Sequence, residues 1–314
     1  MSLNATAVPK DFLSILDLTQ GDFLRLLDLA ADLKAKRRLG RLAPLSNALT
    51  GKHVALLFEK PSLRTWSTFE IAVRELGGDT LHLAPEFADG VREPLKDVAR
   101  NLERWVAALV VRTFGQAKLA TLAAAAPCLH VINALTDEQH PCQALADMLT
   151  LRERWGNCHG RVLAYVGDGN NVATSLVHAA PILGISVHLA SPRGYELPDA
   201  IVADAMAGAR DGAEVRRFTD PRAAVANADA VYTDVWVSMG DEAEAGERKL
   251  IFSPYQVNEA LMAAAGDALF MHCLPAHRGE EVTDEVIESP ASVVFDQAEN
   301  RLHTQKALLA LLLS

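Results

Sequence analysis

Cysteine is scarce in this chain, which carries four among its 314 residues, at positions 128, 142, 158 and 273. No two of them stand in a Cys-x-x-Cys spacing, so the sequence suggests neither a disulfide framework nor a zinc site. Few, scattered cysteines fit a reducing compartment best.

An excess of basic residues and long apolar runs are also lacking. The sequence contains 30 Lys and Arg residues and 40 Asp and Glu residues, for a net charge of −10. This balance argues against a nucleic acid or an anionic membrane as partner, although a local arginine cluster can still bind a small anion. The aliphatic tract at 307–313 is far shorter than a membrane span, and charges at Lys10, Asp11 and Asp17 leave no signal-peptide core. We therefore expect a cytoplasmic protein.

The chain does contain a regular alternation of short apolar runs and helical patterns. The runs that predict strands are 53–58, 80–83, 108–112, 131–133, 161–167, 186–190, 230–234, 269–272 and 292–295. Such alternation is typical of βαβ units and parallel sheets. The length favours two domains of about 150 residues each.

The domain boundary is predicted near residue 150, on a bridging helix. Residues 141–155 carry apolar side chains at helical spacing, and Gly156 ends the pattern. We therefore expect an α/β fold of two Rossmann-like domains with parallel sheets, residues 1–150 and 151–299, joined by bridging helices. A C-terminal helix at 300–314 is expected to pack back on the first domain.

Residues 58–65, Phe-Glu-Lys-Pro-Ser-Leu-Arg-Thr, follow a predicted strand and open a helix. Such a junction directs free backbone N–H groups and the positive end of the helix dipole at one spot. The hydroxyls of Ser62 and Thr65 and the guanidinium of Arg64 make that spot suited to a phosphate. The alternative is a plain helix with Ser62 as N-cap and Arg64 in solvent.

Further polar residues stand where an open parallel sheet binds its ligands. Arg112 ends the run at 108–112, and His140 and Gln143 lie at the start of the bridging helix. A histidine at a helix N-terminus can stay neutral or donate to a substrate carbonyl, and Gln143 offers both a donor and an acceptor. A surface arginine and a polar turn with a solvated histidine are the alternatives.

Residues 162–172 read as a strand, a glycine-rich turn and a helix start. Val172 replaces the third glycine of the dinucleotide-binding pattern, and Ser191 and Pro192 stand where a ribose-binding acid would be expected. The sequence therefore predicts a Rossmann-like scaffold without NAD. Asn170 or Asn171 is expected to offer an amide to another ligand.

Two later strands deliver candidate site residues. Asp234 ends the run at 230–234, ahead of Ser238 and Met239, and would bind a substrate ammonium group unless it is a turn cap. Cys273 follows the run at 269–272, where it is either an inert core thiol or a site residue.

Arg301 is expected near the start of the last helix. An arginine there opposes the helix dipole, so its presence suggests an anionic partner.

Together these motifs resemble the aspartate/ornithine transcarbamylase superfamily, in its ornithine carbamoyltransferase branch, over essentially the whole chain. The stretches that carry the resemblance are Ser62-Leu-Arg-Thr65, His140-Pro-Cys-Gln143, Gly167-Asp-Gly-Asn-Asn-Val172, Asp234-Val-Trp-Val-Ser-Met-Gly240 and His272-Cys-Leu-Pro275. The phosphate loop identifies only the superfamily, whereas the Ser-Met-Gly and His-Cys-Leu-Pro pair is specific to the ornithine branch.

The resemblance implies transfer of a carbamoyl group from carbamoyl phosphate to the δ-amine of L-ornithine. It implies a homotrimer with active sites at subunit interfaces and no metal, cofactor, nucleic acid or membrane partner. Carbamoyl phosphate would be bound by Ser62, Leu63, Arg64, Thr65, Arg112, His140, Gln143, Cys273, Leu274 and Arg301. Ornithine would be bound by Asn171, Asp234, Ser238 and Met239. Catalysis would fall to Arg112, His140, Asp234 and Cys273, with the thiol positioning the amine rather than forming a covalent intermediate.

Two departures from the family pattern leave alternatives open. Trp66 stands where the family has an arginine, and Ala88 or Asp89 stands where it has a glutamine that reaches the neighbouring subunit's site. Arg92 is a candidate substitute for that glutamine. The alternatives are a carbamoyltransferase for another amine, such as putrescine or an acylated ornithine, and a catalytically impaired paralogue.

Two other enzyme classes are disfavoured. An NAD-dependent dehydrogenase lacks its third glycine and its acid, and a cysteine hydrolase built on His272 and Cys273 would need adjacent strand residues to share a face. Whether the reaction serves synthesis or breakdown of arginine stays open.

Overall fold

A computed structural model describes residues 9–88, 90–237 and 242–313 of the chain. The chain divides into two compact units, Met1–Leu149 with Glu299–Ser314, and Thr150–Ala298. Both boundaries fall inside helices, Pro141–Trp155 and Val294–Leu313. Three positions singled out in the sequence, Asp89, Ser238 and Met239, lie outside the described residues.

The first unit contains a four-stranded parallel sheet in the order β2-β1-β3-β4. Its strands are β1 (His53–Phe58), β2 (Asp79–Leu83), β3 (Ala108–Arg112) and β4 (His130–Leu135). The helices up to residue 155 are α1 (Gln20–Lys36), α2 (Leu63–Glu75), α3 (Leu95–Leu102), α4 (Gln116–Ala125) and α5 (Pro141–Trp155). Strand β3 is buried throughout and β1 is buried apart from His53, as expected for near-continuous apolar strands of a covered parallel sheet.

The second unit contains a five-stranded parallel sheet in the order β7-β6-β5-β8-β9. Its strands are β5 (Val162–Val166), β6 (Ser186–Ala190), β7 (Val215–Phe218), β8 (Ala230–Thr233) and β9 (Leu269–His272). Its helices are α6 (Asn171–Ala179), α7 (Asp199–Ala207), α8 (Pro221–Val225), α9 (Ala245–Phe252), α10 (Glu259–Ala265) and α11 (Asp284–Ile287). The chain order reverses between β5 and β8, and ligands of open α/β sheets bind beyond the carboxyl ends of strands at such a point.

The last helix, α12 (Val294–Leu313), begins in the second unit and contributes most of its length to the first. Short 3-10 segments lie at Ile15–Asp17, Arg37–Leu42, Pro85–Ala88, Ala180–Leu183, Glu242–Glu244 and Ser253–Tyr255. Within residues 9–88, 90–237 and 242–313, no helix has both the length and the apolar character needed to cross a bilayer.

The predicted α/β fold with two parallel sheets is confirmed, and three details differ from expectation. The strand predicted at 292–295 is wrong, because Ser292 makes a single bridge and α12 begins two residues later. The sequence pattern missed β7, where Arg216 and Arg217 interrupt the apolar run of an edge strand. Arg301 lies about two turns into α12 and not near its start.

Candidate functional site

The loop between β1 and α2 is the first part of the candidate site. Ser62 is the N-cap of α2, and its hydroxyl accepts a hydrogen bond from the Thr65 N–H at 3.3 Å. The capping role considered for Ser62 is therefore present. In the sheet, Phe58 of β1 pairs with Arg112 of β3, so the loop starts beside that arginine at the carboxyl edge.

Two charged residues of this loop, Glu59 and Lys60, form ion pairs with residues from other segments. Lys60 is buried, its Nζ atom lies 2.5 Å from Oδ1 of Asp137, and it sits 4.2 Å from the centre of the Phe114 ring. Glu59 bonds to Lys118 at 2.6 Å. These pairs join the loops that follow β1, β3 and β4. The sequence analysis missed Lys60, although a lysine inside a strand–loop–helix junction is the signal that could have pointed to it.

Arg301 reaches the same loop from the far end of the chain. Its side chain is only 2% exposed, and its Nη2 donates to the Thr65 hydroxyl at 2.7 Å. Its Nη1 donates to Oε1 of Gln143 at 2.5 Å. The Gln143 amide is oriented from its other side, because its Nε2 donates to Oδ1 of buried Asp147 at 2.8 Å. Three predicted residues thus form one hydrogen-bonded set, which Asp147 extends.

His140 is buried at the start of α5, among positive charges. Burial is the largest effect on its pKa, which it lowers well below the usual 6.5. Three guanidinium groups add to this effect, in decreasing order those of Arg301, Arg112 and Arg64. The imidazole is therefore neutral near pH 7, and the surrounding cations leave a strongly positive place suited to a small, doubly charged anion.

Trp66 makes a different environment beside this loop from the one an arginine would make. Its ring stacks on His82 of β2, with centroids 4.5 Å apart and planes at 8°, and meets Phe58 edge-on at 5.3 Å. His82 in turn lies 2.8 Å from a carboxylate oxygen of Glu70. The substitution thus removes a charge and adds an aromatic contact between α2 and β2.

In the second unit, the glycine-rich turn after β5 brings Asn170 to the carboxyl edge. Asn170 is the N-cap of α6, and its Oδ1 accepts from the N–H groups of Val172 and Ala173 at 3.0 and 3.1 Å. Its Nδ2 donates to Oδ2 of Asp234 at 2.8 Å. Of the two candidate asparagines, Asn170 is thus the N-cap of α6 and bonds to Asp234, and Asn171 is the first residue of that helix and half-buried.

Cys273 and Asp234 come together at the ends of β9 and β8. The thiol donates to Oδ1 of Asp234, with Sγ and oxygen 2.9 Å apart. Burial first, and then the negative charges of Asp234 and Asp168, raise the pKa of the nearby Tyr165 phenol well above its usual value. Asp234 thus contributes a carboxylate to this cluster, and a carboxylate can accept hydrogen bonds from an ammonium group.

Gly169 allows the glycine-rich turn to lie close to the backbone of residues 195–197. A Cβ atom there would lie 2.6 Å from the Leu197 nitrogen and 2.7 Å from the Tyr195 oxygen, both backbone atoms. The glycine thus serves close approach of two backbone segments rather than approach to a dinucleotide, in line with Val172 at the third glycine position.

Arg248 connects the segments that flank the cluster. It is buried, its Nε donates to the Trp236 carbonyl at 2.7 Å, and its Nη2 bonds to Asp168 in the glycine-rich turn. The guanidinium also lies over the Tyr195 ring at 4.9 Å. Sequence reasoning did not identify Arg248, because an arginine in an ordinary helix gives no signal of its own.

Among the residues that the structure describes, two groups of side chains bring three potential metal ligands within 4.8 Å of one another. They are Asp234 with His272 and Cys273, and His277 with Glu280 and Glu281. In the first group the thiol donates to the carboxylate, and Nδ1 of His272 accepts from the Leu274 N–H at 2.8 Å. These atoms thus already serve hydrogen bonds within the protein. We interpret the group as a polar network.

Known proteins match the chain over nearly its full length. The family model described as aspartate/ornithine carbamoyltransferase, carbamoyl-P binding domain, matches residues 10–153, and the Asp/Orn binding domain of the same family matches residues 159–312. Ornithine carbamoyltransferase of Acidothermus cellulolyticus is 52% identical over 308 residues, covering 97% of this chain and 96% of the relative. That of Thermosynechococcus vestitus is 50% identical over 306 residues, with the same coverage.

Solved structures agree with this result. Ornithine carbamoyltransferase from Pyrococcus furiosus is 46% identical, covers 98% of each chain and superposes with a TM-score of 0.93. The Thermus thermophilus enzyme is 43% identical, with a TM-score of 0.87, and covers 98% of this chain and 100% of its own. On its two matched domains and its sequence identity, the chain belongs to the aspartate/ornithine carbamoyltransferase family.

Proposed function

We propose that this protein transfers the carbamoyl group of carbamoyl phosphate to the δ-amine of L-ornithine, giving L-citrulline and phosphate. The observation that carries the proposal is the buried Arg301 guanidinium, which donates to Thr65 and Gln143. Burial, and then the charges of Arg301, Arg112 and Arg64, lower the pKa of the His140 imidazole. A dianion with an amide-like carbonyl fits such a place, because the arginines can hold its charge while neutral donors face the carbonyl oxygen.

Binding of carbamoyl phosphate is assigned to the first unit, with help from the residues after β9. The phosphate would be held by Ser62, the Leu63 N–H, Arg64, Thr65 and Arg112. The carbamoyl group would be contacted by Arg112, His140, Gln143, Cys273, the Leu274 backbone and Arg301. The hydrogen bonds from Arg301 to Thr65 and Gln143 support this assignment, since they orient groups from both sets.

Binding of ornithine is assigned to the second unit. Asn171, Asp234, Ser238 and Met239 would hold its amino-acid end. The Asp234 carboxylate accepts a hydrogen bond from the Cys273 thiol, and it would also accept hydrogen bonds from amine groups of the substrate. Cys273 would direct the δ-amine.

In the chemical step, the neutral δ-nitrogen attacks the carbonyl carbon and the bond from that carbon to the phosphate oxygen breaks. Phosphate leaves with the bonding electron pair and takes up the proton that the nitrogen loses. Arg112, His140 and Arg301 would stabilise the negative charge that develops on the carbonyl oxygen. Orientation is the main contribution of the protein, because carbamoyl phosphate is already activated.

Assembly into a homotrimer is also proposed. Supporting evidence is the apolar surface of the first unit, where Leu63 and Ile71 of α2 and Leu81 of the edge strand β2 are exposed. Arg92, also exposed, is the candidate substitute for the family's cross-subunit glutamine. Light scattering should give a mass near three times 33.9 kDa, and a monomer at micromolar concentration would contradict the proposal.

The reaction is tested by citrulline formation from carbamoyl phosphate with ornithine, putrescine and N-acetylornithine compared side by side. We expect turnover with ornithine and none with putrescine or N-acetylornithine. Turnover with putrescine or N-acetylornithine in preference would reassign the acceptor, and no turnover with any amine would identify an impaired paralogue. Such a paralogue would direct attention to Trp66 and the loop at 85–93.

A further inference from the structure

A buried histidine–glutamate pair lies directly behind Cys273 and Leu274. His272 ends β9, and both His272 and Glu281 are 0% exposed. The Nε2 atom of His272 lies 3.2 Å from Oε1 of Glu281. Neither side chain has a part in the reaction proposed above. A buried ionisable pair is costly to maintain, so its presence calls for a role.

The hydrogen bonds of His272 determine which ring nitrogen carries the proton. The Leu274 N–H donates to Nδ1 of His272 at 2.8 Å. A ring nitrogen that accepts a hydrogen bond carries no hydrogen. The proton of the neutral ring is therefore on Nε2, which donates to Glu281.

Further hydrogen bonds hold the backbone of the segment 272–281. The His272 N–H donates to Oε1 of Gln297 at 3.0 Å, and the His277 N–H donates to Oε1 of Glu281 at 2.5 Å. Between them Leu274 has a φ of +57°, in the left-handed region that non-glycine residues rarely adopt. Such a conformation persists where neighbouring contacts hold it, and the bond to Nδ1 is one such contact.

We propose that His272 is a positioning residue, whose Nδ1 holds the Leu274 backbone and thereby directs the Cys273 thiol at Asp234, while Glu281 selects the required tautomer. The inference rests on the proposed function, in which Cys273 and the Leu274 backbone contact the substrates. His272 itself touches neither substrate in this scheme. Its effect is to keep Cys273 and Leu274 in position to contact the substrates.

Two substitutions separate the two ring nitrogens. In His272→Asn the side-chain oxygen can take the place of Nδ1 and accept from Leu274, whereas in His272→Gln the amide nitrogen can take the place of Nε2 and reach only Glu281. We expect His272→Asn to keep kcat/KM for ornithine within about threefold of wild type. We expect His272→Gln to lower it by about 100-fold, the loss typical of a small misplacement of a reacting group.

Melting temperatures of both variants are compared with wild type, so that stability and positioning are separated. If His272 had only a structural role, the Asn and Gln substitutions would have similar effects on activity. Equal losses in the two variants, or a fully active His272→Gln enzyme, would overturn the inference.

A further measurement, on the wild-type protein, does not depend on catalysis. Nitrogen NMR of protein labelled at histidine should show His272 with a protonated Nε2 and an unprotonated Nδ1, with the signal assigned by its absence in His272→Asn. The opposite tautomer, or an imidazolium at pH 7, would overturn the inference. A wild type with the expected tautomer but without citrulline formation would instead overturn the proposed function.

Discussion

The thiol of Cys273 donates a hydrogen bond to Oδ1 of Asp234 over a distance of 2.9 Å. The other oxygen of that carboxylate accepts from Nδ2 of Asn170 at 2.8 Å. Both oxygens are therefore oriented by neutral donors, and neither donor cancels the negative charge. A thiol that donates to a carboxylate is protonated, which is the opposite of what a thiolate nucleophile requires.

Cys273→Ala should therefore leave measurable turnover with a raised KM for ornithine. Loss of one hydrogen bond from a weak thiol donor is worth about 1 kcal/mol, or roughly a fivefold change. Steady-state kinetics with each substrate varied in turn measures the effect, and Cys128→Ala, at an exposed cysteine, is the matched control. An inactive Cys273→Ala enzyme, together with a carbamoyl-thiol adduct trapped in wild type, would show that the thiol is a nucleophile.

Arg64→Ala should remove nearly all turnover, with a loss of at least about 100-fold in kcat/KM for carbamoyl phosphate. Arg74 is on the same helix, bonded to Glu70, and its side chain is 68% exposed. Arg74→Ala removes the same charge from α2 and should change kcat/KM less than twofold. Comparable losses in the two variants would mean that Arg64 acts only through the general charge of the helix.

Arg301→Lys should weaken carbamoyl phosphate binding although the charge is kept. A lysine has one ammonium group and cannot reproduce the forked contacts to Gln143 and Thr65. We expect the KM for carbamoyl phosphate to rise about tenfold, and stability to fall by about 1 to 3 kcal/mol because buried partners lose their donor. Arg154→Lys, at a half-exposed pair with Asp296, is the control and should alter neither quantity. An unchanged KM in Arg301→Lys would remove Arg301 from the binding set.

Stability should fall as pH falls below 6.5, in part because of His303. Burial lowers the pKa of this side chain from 6.5 to about 4. Between these two values the unfolded chain binds more protons than the folded chain, so the free energy of unfolding rises with pH. The slope from one such group reaches about 1.4 kcal/mol per pH unit. Stability is fully retained above pH 6.5 and is lost towards pH 4.

Urea unfolding of wild type and His303→Gln between pH 7 and 4.5 tests this dependence. The variant should show a shallower slope than wild type. His159→Gln, at an exposed histidine, should keep the wild-type slope. Parallel curves for wild type and His303→Gln would show that the side chain titrates alike in both states.

Gly169→Ala should destabilise the protein by about 1 to 3 kcal/mol, because the new methyl group would meet backbone atoms that cannot move aside. The same shift would displace the Asn170 turn and raise the KM for ornithine. Gly246→Ala in α9 is the control, since nothing lies within 4 Å of its Cβ position. That variant should gain about 0.5 to 1 kcal/mol from helix propensity. Wild-type stability in Gly169→Ala would contradict the close approach seen at this turn.

The sequence predicted the secondary-structure elements that are determined by local residue patterns. Four strands, among them His53–Phe58 and Leu269–His272, match their predicted bounds because each is a mostly apolar run with clear ends. The helix Pro141–Trp155 matches because its apolar side chains recur at helical spacing and Gly156 ends the pattern. The strand β7 was missed, since its inner residues are arginines on an exposed edge. The strand expected at 292–295 failed because an apolar run of that length does not distinguish a strand from the start of a helix.

At the candidate site, residue types were predictable but their partners were not. Arg301 is separated from Thr65 by more than two hundred residues, and no spacing rule links them. Asp147, Arg248 and Glu281 were missed because each is a charged residue that is ordinary in its local sequence. Their buried contacts emerge only in the folded structure.

The first unit is assembled from residues before 150 and after 298, and this has a consequence for biosynthesis. A ribosome delivers the loop at 62–65 early, and it makes the entire second unit before it releases Arg301. Until then Thr65 and Gln143 lack the guanidinium to which they bond. A nascent or prematurely terminated chain therefore lacks the arginine that joins Thr65 to Gln143, and the first unit is completed only after the second unit has been synthesised.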